Sequence, residues 1–396
     1  MKIEQISKQT YDNYLKQVKI NTFLQKSEMS EVLKANNSET EFLGLVDNGE
    51  VLAVALAVIR KVFLGVRVDL MTGAISTNPE NEYIFYEKLK DYAKQINCLK
   101  LVVKPDKNYC NLDQEGNAIG KVDSTCSDNM QKMGYTVNDG YIGTFEGSPD
   151  YHFVKDLSGF SSLKEDELLK SFNYNAQRKI KKGRDMNLRV RAISKDELEE
   201  FNRLTVETSR RQHFSDLPFE YYQTFYDMFS ESAEFLVSEI DINHSVKNLT
   251  NLIEKLNESP KGNKQKIESL AKEIKILEEF RDNANTNVIQ LANMVIVYLE
   301  NQAIYFVGGS STKYQKLPGA FMIQFEAMKR TIEKGIPLYN FFGVEGKFDG
   351  SDGVLRFKQN FNGYIIKKVG AFIYYPHPMK YQVIQFLKDI RSKLKL

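Results

Sequence analysis

Two segments with the hydrophobic spacing of a coiled coil interrupt this chain of 396 residues and divide the rest of it into two parts. Each segment has aliphatic residues at successive spacings of three, four and three: Val246, Leu249, Ile253 and Leu256, then Ile267, Leu270, Ile274 and Leu277. That spacing gives each helix one apolar seam, and Pro260 and Gly262 favour a turn between the helices. We therefore predict an antiparallel coiled-coil arm over residues 242–287. Because such an arm buries its seam on itself, the rest of the chain is expected to fold without it.

The regions on both sides of the arm alternate between the apolar patterns of helices and strands. Helices are predicted over 80–95, 166–182, 195–212 and 319–334, and strands over 41–46, 51–59, 99–103, 235–240, 295–299, 303–307, 338–343 and 364–375. Asp47-Asn48-Gly49 has the turn chemistry of a hairpin. The alternation predicts a mixed α/β (α+β) fold with two domains. The first is expected over 1–150, joined by 371–396, and the second over 151–241 and 288–370.

Composition excludes several classes of protein. Charged residues make up 27% of the chain and the formal net charge is +2, so contact with nucleic acid needs a local basic patch. Three cysteines without a CxxC pair fit a reducing compartment, and four scattered histidines predict no metal site. The N-terminus lacks the apolar stretch of a signal peptide. The longest apolar run is far shorter than the ~20 residues of a membrane span. We expect a cytoplasmic protein without a transmembrane segment, and peripheral contact with the inner face of the membrane stays open.

A basic segment over 175–184 is a candidate for a local patch. Arg178, Lys181 and Lys182 are spaced so that they lie on neighbouring turns of one helix, which Gly183 is expected to end as a C-terminal cap. These side chains either complement the helix dipole or form a phosphate-binding face for tRNA or a nucleotide diphosphate. The arm has a similar pair of interpretations, as a solvated insertion or as an element that contacts a large partner.

Glycines, hydroxyls and aromatic rings are concentrated near the end of the chain, in 305–314, 339–343 and 357–361. Lys358 lies between two phenylalanines on a predicted strand or turn, where it is either a fixed positive charge or an exposed lysine between buried rings. Earlier, Arg211 closes a predicted helix, and its guanidinium suits either a surface ion pair or two-point recognition of phosphate or carboxylate. The sequence has no Ser-His-Asp signature, Walker lysine or GxGxxG fingerprint. This pattern disfavours covalent hydrolase and kinase chemistry.

Several of these segments follow one another in an order known from other proteins. They are Phe23-Leu-Gln25, Arg178-Lys-Ile-Lys-Lys182, Thr208-x-x-Arg211-x-x-Phe214, Gly308-Gly-Ser-Ser-x-x-Tyr314, Tyr339-Asn-Phe-x-Gly343 and Phe357-Lys358-x-x-Phe361. In this order they resemble the FemABX (Fem/Mur) family of peptidoglycan-bridge aminoacyltransferases, over nearly the whole chain. One departure is Lys104, which stands before Pro105 where the family often has an aspartate.

The resemblance implies two domains like those of the GNAT acetyltransferases, no cofactor, and transfer of an amino acid from aminoacyl-tRNA to a peptidoglycan precursor, either lipid-linked or UDP-linked. It assigns Lys358 as the cation that stabilises the reaction's oxyanion, and Lys34 and Arg211 as ligands of the precursor's phosphates or carboxylates. Tyr305, Tyr314 and Phe357 would shape the substrate cleft. Two alternatives remain open at this point. They are a non-catalytic tRNA- or envelope-binding protein on the same fold, and an N-acyltransferase that uses another activated donor.

Overall fold

The computed structural model describes residues 1–138, 148–160, 164–212, 217–258, 262–282 and 286–393. In chain order the strands are β1 (Lys2–Gln5), β2 (Glu39–Asp47), β3 (Glu50–Val62), β4 (Gly65–Leu70), β5 (Cys98–Val103), β6 (Asn108–Leu112), β7 (Ala118–Ile119), β8 (Thr136–Val137), β9 (Tyr151–Asp156), β10 (Arg189–Ala192), β11 (Ala233–Asp241), β12 (Val288–Tyr298), β13 (Ala303–Ser310), β14 (Leu338–Val344), β15 (Tyr364–Lys368) and β16 (Phe372–Tyr374). The α-helices are α1 (Lys8–Leu15), α2 (Glu28–Ala35), α3 (Pro79–Gln95), α4 (Thr125–Lys132), α5 (Glu165–Lys170), α6 (Tyr174–Asp185), α7 (Leu198–Gln212), α8 (Phe219–Met228), α9 (Ile242–Asn257), α10 (Lys264–Asp282), α11 (Gly319–Glu333), α12 (Gly353–Gln359) and α13 (Pro378–Lys393).

These strands form two sheets. Sheet A has the order β1-β2-β3-β4-β5-β16-β8, and sheet B has the order β10-β11-β12-β13-β14-β9-β15-β6-β7. The turn between β2 and β3 is the predicted hairpin, because Asn48 and Gly49 both have a positive φ, of 47° and 87°. The described helices include none that is both long enough and apolar enough to span a bilayer.

The chain crosses between the two sheets more than once. After β5 of sheet A it enters sheet B at β6, so the β6–β7 hairpin lies inside the range 1–150 but pairs with sheet B. The predicted strand 364–375 is wrong as a single strand, because Gly370 takes a φ of 82° and breaks it. Its first part, β15, pairs with β9, and its second part, β16, pairs with β5 of sheet A.

An apolar core joins the two sheets. It includes Val54 of sheet A, Val237 of sheet B and the buried faces of α2, α7 and α8. Phe23 of the early motif lies in this core, with its ring edge-on to Phe225 and to Phe306 at 5.7 and 4.9 Å. The early motif therefore packs in the core between the two sheets.

The arm packs against the protein body as well as against itself. Helices α9 and α10 contact each other, but Leu249, Leu270 and Leu277 belong to the same buried core as Met186 at the end of α6. Asn248 Nδ2 donates to the carbonyl oxygen of Asp185 at 2.8 Å. The expectation that the arm buries its seam only on itself is therefore wrong, because three of its seam leucines also fill the core of sheet B.

The basic segment is helical, but it differs from the prediction at both ends. The predicted helix 166–182 is two helices, α5 and α6, and α6 continues past Gly183. That glycine is not a cap: a Cβ atom there would lie 2.5 Å from the sulfur of Met322, so glycine is needed for the close approach of α11. Asn187, with a φ of 55°, takes the left-handed position after the helix.

Candidate active site

Strands β13 and β14 of sheet B pair at only two positions, and the region beyond these pairs is called the β13–β14 cleft here. The two strands run parallel and pair at Ala303 with Tyr339 and at Ile304 with Asn340. Beyond these pairs the ladder between β13 and β14 ends, and the register of β14 on its other neighbour, β9, shifts between Asn340 and Gly343. Because neighbouring parallel strands end at the same edge of a sheet, the ends of β13 and β14 bring the side chains around them to one edge.

Lys358 lies at the β14 side of this cleft. It is on α12, so its predicted place on a strand or turn is wrong: Asp352 caps this short helix by accepting from the backbone N–H of Val354 and Leu355. The side chain of Lys358 is buried, with 4% of its surface exposed. Its Nζ donates to the carbonyl oxygen of Gly343 at 2.6 Å.

The surroundings of Lys358 bring the pKa of its amine close to neutral pH, so its protonation state changes with pH there. Burial lowers the pKa of Lys358 from its ordinary value of 10.5 to about 7, and Asp352 acts in the opposite direction. Within the described residues no carboxylate lies within ion-pair distance of its Nζ. An ammonium has three donors and one of them is used on Gly343, so this group can still donate to an oxygen that enters the cleft.

A buried polar network fixes the shape of β14 next to Lys358. Asn340 Oδ1 accepts from the backbone N–H of Phe342 at 2.8 Å. Its Nδ2 donates to Nδ1 of His152 at 3.0 Å and to Oε1 of Gln302 at 2.8 Å. Phe342 has a φ of 63°, which a bulky residue adopts only when its surroundings enforce it. The network therefore holds the bulge that turns the carbonyl of Gly343 towards Lys358.

His152 is neutral in this network. Because Nδ1 accepts from Asn340, Nε2 carries the proton, and it lies 3.0 Å from the carbonyl oxygen of Pro149. Burial lowers the pKa of His152 from its ordinary value of 6.5 to about 3, with the charge of Lys368 as the next cause. Its ring packs edge-on against Phe342 at 5.2 Å.

The β13 side of the cleft is fastened to α7. Arg211 Nη1 donates to the carbonyl oxygen of Ser310 at 3.0 Å and to Oγ1 of Thr312 at 2.6 Å. Thr208 Oγ1 accepts from the backbone N–H of Ser310 at 2.9 Å. The partners of Arg211 are neutral, and its charge is not matched by a carboxylate in the part of the chain that the structure describes. Phe214, the last residue of that motif, lies outside the described residues.

The two glycines of β13 allow this close contact. A Cβ atom on Gly309 would lie 2.4 Å from the carbonyl oxygen of Leu204 on α7, and one on Gly308 would lie 2.4 Å from the carbonyl oxygen of Asn293 on β12. Both glycines therefore lie within the strand and not in a turn after it, at positions where only a hydrogen atom fits.

The other residues predicted to bind substrate are spread more widely. Tyr305 is on β13, and burial raises its pKa to about 12. Phe357 lies on α12 beside Lys358, and its ring packs against Phe321 at 5.2 Å. Tyr314 packs against Phe280 of α10 at 5.0 Å, at a cavity of about 530 Å³ near the base of the arm. Lys34 is exposed on α2 and pairs with Glu31 at 2.8 Å. The structure thus brings Tyr305, Phe357 and Lys358 to the β13–β14 region and places Tyr314 by the arm.

The three basic residues predicted to contact phosphate do not share one environment. Arg178 and Lys181 are exposed on α6. Lys182 forms an ion pair with Glu273 of α10 at 2.5 Å. Lys182 therefore helps to hold the arm, which leaves two of the three side chains on the open face of the helix.

Sequence reasoning missed the residues that support Lys358. His152 was counted among scattered histidines, and Gln302 was not considered. Their partner, Asn340, is 188 residues away from His152 in the chain. The one local signal was Asn340 itself, a polar residue inside the apolar strand pattern of 338–343.

We expect replacement of His152 by phenylalanine to destabilise the protein by about 1–3 kcal/mol at pH 7.5, because Asn340 loses a buried acceptor. The folded-state pKa of His152 is lowered to about 3, so the unfolded chain binds an extra proton between pH about 3 and 6.5. The contribution of His152 to the free energy of unfolding of the wild type is therefore complete above pH 6.5. It decreases as the pH falls below that value, by up to about 1.4 kcal/mol per pH unit.

Urea unfolding of wild type and His152→Phe at pH 7.5 and 5.5 measures this difference. The gap between the two proteins should narrow at the lower pH, with the exposed His244→Phe as control. A gap that does not change with pH would contradict the neutral, buried state of His152.

Comparison with known proteins agrees with this architecture. A solved structure of FemX covers 97% of this chain and 100% of its own, with a TM-score of 0.73 and 20% identity. A tandem GNAT protein from the clavulanic acid biosynthesis pathway covers 95% of this chain and 99% of its own, with a TM-score of 0.50 and 7% identity. The two sheets therefore define a protein of the GNAT-like fold, as predicted.

Sequence comparison identifies the family. The sequence pattern of the FemAB family matches residues 6–389. The chain is 24% identical to aminoacyltransferase FemA of Staphylococcus epidermidis strain RP62A over 99% of this chain and 100% of that protein. It is 27% identical to FemA of Staphylococcus aureus over 100% of both chains. The chain belongs to the FemAB family, which confirms the resemblance seen in its motifs.

Proposed function

We propose that this protein is an aminoacyltransferase that moves an amino acid from aminoacyl-tRNA to the stem peptide, or to the growing bridge, of a peptidoglycan precursor. The relatives named aminoacyltransferase FemA support the transfer of an aminoacyl group. The observation that carries the proposal is Lys358, a buried amine that, among the described residues, spends one of its three donors on the carbonyl oxygen of Gly343 at the end of β14.

The chemistry of this transfer needs a positive charge at one place. An amine nitrogen of the precursor attacks the ester carbonyl of aminoacyl-tRNA, and the carbonyl oxygen becomes an oxyanion. When the tetrahedral intermediate collapses, the C–O bond to the tRNA ribose breaks and the ribose oxygen takes the proton that the amine releases. A fixed donor at the oxyanion contributes about 2.7–4 kcal/mol to such a barrier. In this proposal Lys358 supplies that donor.

The lowered pKa of Lys358 makes its protonation responsive to charge that forms beside it. A group with a pKa of about 7 gains a proton readily when a negative charge forms beside it. Burial keeps water from competing for its donors, so its interaction with an oxyanion is stronger than in solvent. The ester is already activated, and positioning of the amine can supply much of the remaining rate.

The other predicted residues have roles in binding. Arg211 and Lys34 would bind the phosphates or carboxylates of the precursor, and Tyr305, Tyr314 and Phe357 would shape the substrate site. Arg178 and Lys181 remain free for phosphates of the tRNA. The protein would work in the cytoplasm, on an acceptor that is either lipid-linked or UDP-linked.

Incubation of the protein with pools of charged tRNA and with each form of the precursor tests the function. Transfer of a labelled amino acid to the precursor supports the proposal. Binding of tRNA without transfer would favour a non-catalytic protein, and transfer only from another activated donor would favour a different N-acyltransferase. Either result would overturn the proposed reaction.

Arg211→Ala is expected to raise the KM for the precursor by about tenfold or more while the maximal rate changes less. The reason is that the guanidinium has only neutral partners in the described residues and can pair with an anion. Its exposed neighbour gives a matched control, Arg210→Ala. If the KM stays constant and only the maximal rate falls, Arg211 acts by holding the end of β13 instead of binding the acceptor.

A further inference from the structure

The last helix, α13, leaves a row of large apolar side chains in solvent. Ile384 is buried, and α13 contacts β5 of sheet A. The exposed apolar residues have helical spacings that place them on one face: Met379, Val383, Phe386, Leu387 and Ile390. Phe386 is 64% exposed and Met379 is 81% exposed. A contiguous apolar face of this kind on a protein surface usually marks an interaction site.

The helix that carries this apolar face is basic. The charged side chains described on α13 are Lys380 and Lys388. The sequence of the helix adds Arg391 and Lys393, against one acidic residue, Asp389. Lys380 Nζ donates to the amide oxygen of Asn97 at 2.7 Å, so its hydrogen bond is to a neutral group. An apolar face on a basic helix is complementary to an anionic lipid surface.

A second exposed apolar element lies beside the start of α13. It is the tip of the β3–β4 hairpin, where Phe63 is 61% exposed and Leu64 is 55% exposed. Asn97 connects the two elements: its Nδ2 donates to the carbonyl oxygen of Leu64 at 3.2 Å, while its Oδ1 accepts from Lys380. The hairpin tip and the first turn of α13 are therefore neighbours on the surface of sheet A.

We propose that the apolar face of α13 and the tip at Phe63–Leu64 form a site for peripheral binding to an anionic phospholipid membrane. Two elements with large apolar side chains allow shallow insertion, and the lysines attract acidic headgroups. A second copy of the chain is the less favoured occupant, because two basic helices would face each other across that interface. The inference does not need the proposed reaction, although a membrane-bound protein would meet a lipid-linked acceptor directly.

Tryptophan fluorescence tests the insertion without removing apolar surface. The native chain contains no tryptophan, so Phe386→Trp introduces a single reporter. Its emission should shift to the blue on addition of vesicles of phosphatidylcholine with phosphatidylglycerol, and brominated lipid should quench it. Met228→Trp, at an exposed apolar position on α8, is the control and should not respond. An unchanged emission of the Phe386→Trp protein would overturn the proposal.

Vesicle sedimentation measures the strength of binding. The double variant Phe386→Gln/Leu387→Gln should lower the vesicle partition coefficient by about tenfold or more relative to wild type. The control variant Ile119→Gln/Met228→Gln, which removes two exposed apolar side chains elsewhere, should bind as wild type does. High salt or pure phosphatidylcholine should weaken binding of the wild type, because headgroup attraction is screened or absent.

Two results would contradict membrane binding. One is wild-type protein that stays in the supernatant with anionic vesicles at low salt. The other is a wild-type dimer that becomes monomeric in the Phe386→Gln/Leu387→Gln variant while neither protein binds vesicles, which would make the face a dimer interface. The vesicle assays contain no tRNA or precursor, so their outcome is separate from that of the transfer assay.

Discussion

Lys358→Met is expected to lower the single-turnover rate of aminoacyl transfer by about 100- to 1,000-fold while the protein stays folded. The substitution keeps a long unbranched side chain in the buried site and removes the donor proposed for the oxyanion. Arg356→Met is the matched control, because Arg356 is an exposed basic residue on the same helix. A folded Lys358→Met protein within about threefold of the wild-type rate would show that the assignment of Lys358 is wrong.

The pH dependence of the rate separates two roles for the same amine. If the ammonium is the active form, the advantage of wild type over Lys358→Met should fall as the pH rises through about 7, where Lys358 loses its proton. If the neutral amine acts as a base, that advantage should grow over the same range. Comparison of the two proteins at each pH cancels the effect of pH on the attacking amine of the precursor.

The stability of the Lys358→Met variant tests independently whether Lys358 is a buried charge that destabilises the fold. Burial lowers its folded-state pKa to about 7, so the unfolded chain binds more protons between pH about 7 and 10.5. Wild-type stability should therefore rise with pH over that window. Below pH 7 the buried charge carries its full cost, and Lys358→Met should be more stable than wild type by about 1–4 kcal/mol. A strongly destabilised variant would instead indicate a structural lysine.

Deletion of Val246–Leu277, bridged by a glycine linker, is expected to prevent stable folding. The deletion removes Leu249, Leu270 and Leu277 from the core around Met186, and with them the ion pair of Lys182 with Glu273. Loss of one buried leucine side chain costs about 2–5 kcal/mol, so loss of three approaches the whole stability of a typical domain, about 5–15 kcal/mol. Circular dichroism and urea unfolding of the purified protein measure the outcome.

A shorter deletion provides the control for the arm. Removal of 257–266 takes away residues that, where the structure describes them, are exposed or partly exposed, so stability should change by less than about 1 kcal/mol. This variant also tests whether the arm holds tRNA: weaker binding and a flatter salt dependence than wild type would support contact with phosphates. A stable, cooperatively unfolding protein after the long deletion would contradict the packing of the arm on α6.

The contrast between prediction and structure in the arm has a physical cause. The spacing of Leu249, Leu270 and Leu277 correctly indicated helices with an apolar seam, and α9 and α10 contact each other. Heptad spacing reports that a face is apolar and does not report what covers it. Here the same leucines serve both the helix pair and the core of sheet B, and this could not be predicted from either segment alone.

In the candidate active site, too, the sequence indicated some features and not others. Asp352 is a good N-terminal cap, and Leu355 and Lys358, three residues apart, fit one face of a helix, so the helical position of Lys358 was available from local sequence. The expectation that Lys358 acts in the reaction came from the resemblance to the FemABX family. The supporting network could not be predicted, because His152 and Asn340 meet through the pairing of β9 with β14 and not through any local pattern.

The crossings between the two sheets set an order for folding on the ribosome. Strand β16, near the end of the chain, lies between β5 and β8, and β15 lies between β9 and β6. Until residues 364–374 have been synthesised, each sheet has open edges where those strands will later insert, and such edges invite pairing with other chains. Synthesis proceeds from the N-terminus, so neither sheet can be completed during translation of the first three hundred residues. A nascent chain of this protein therefore depends on protection of its strand edges until its last segment emerges.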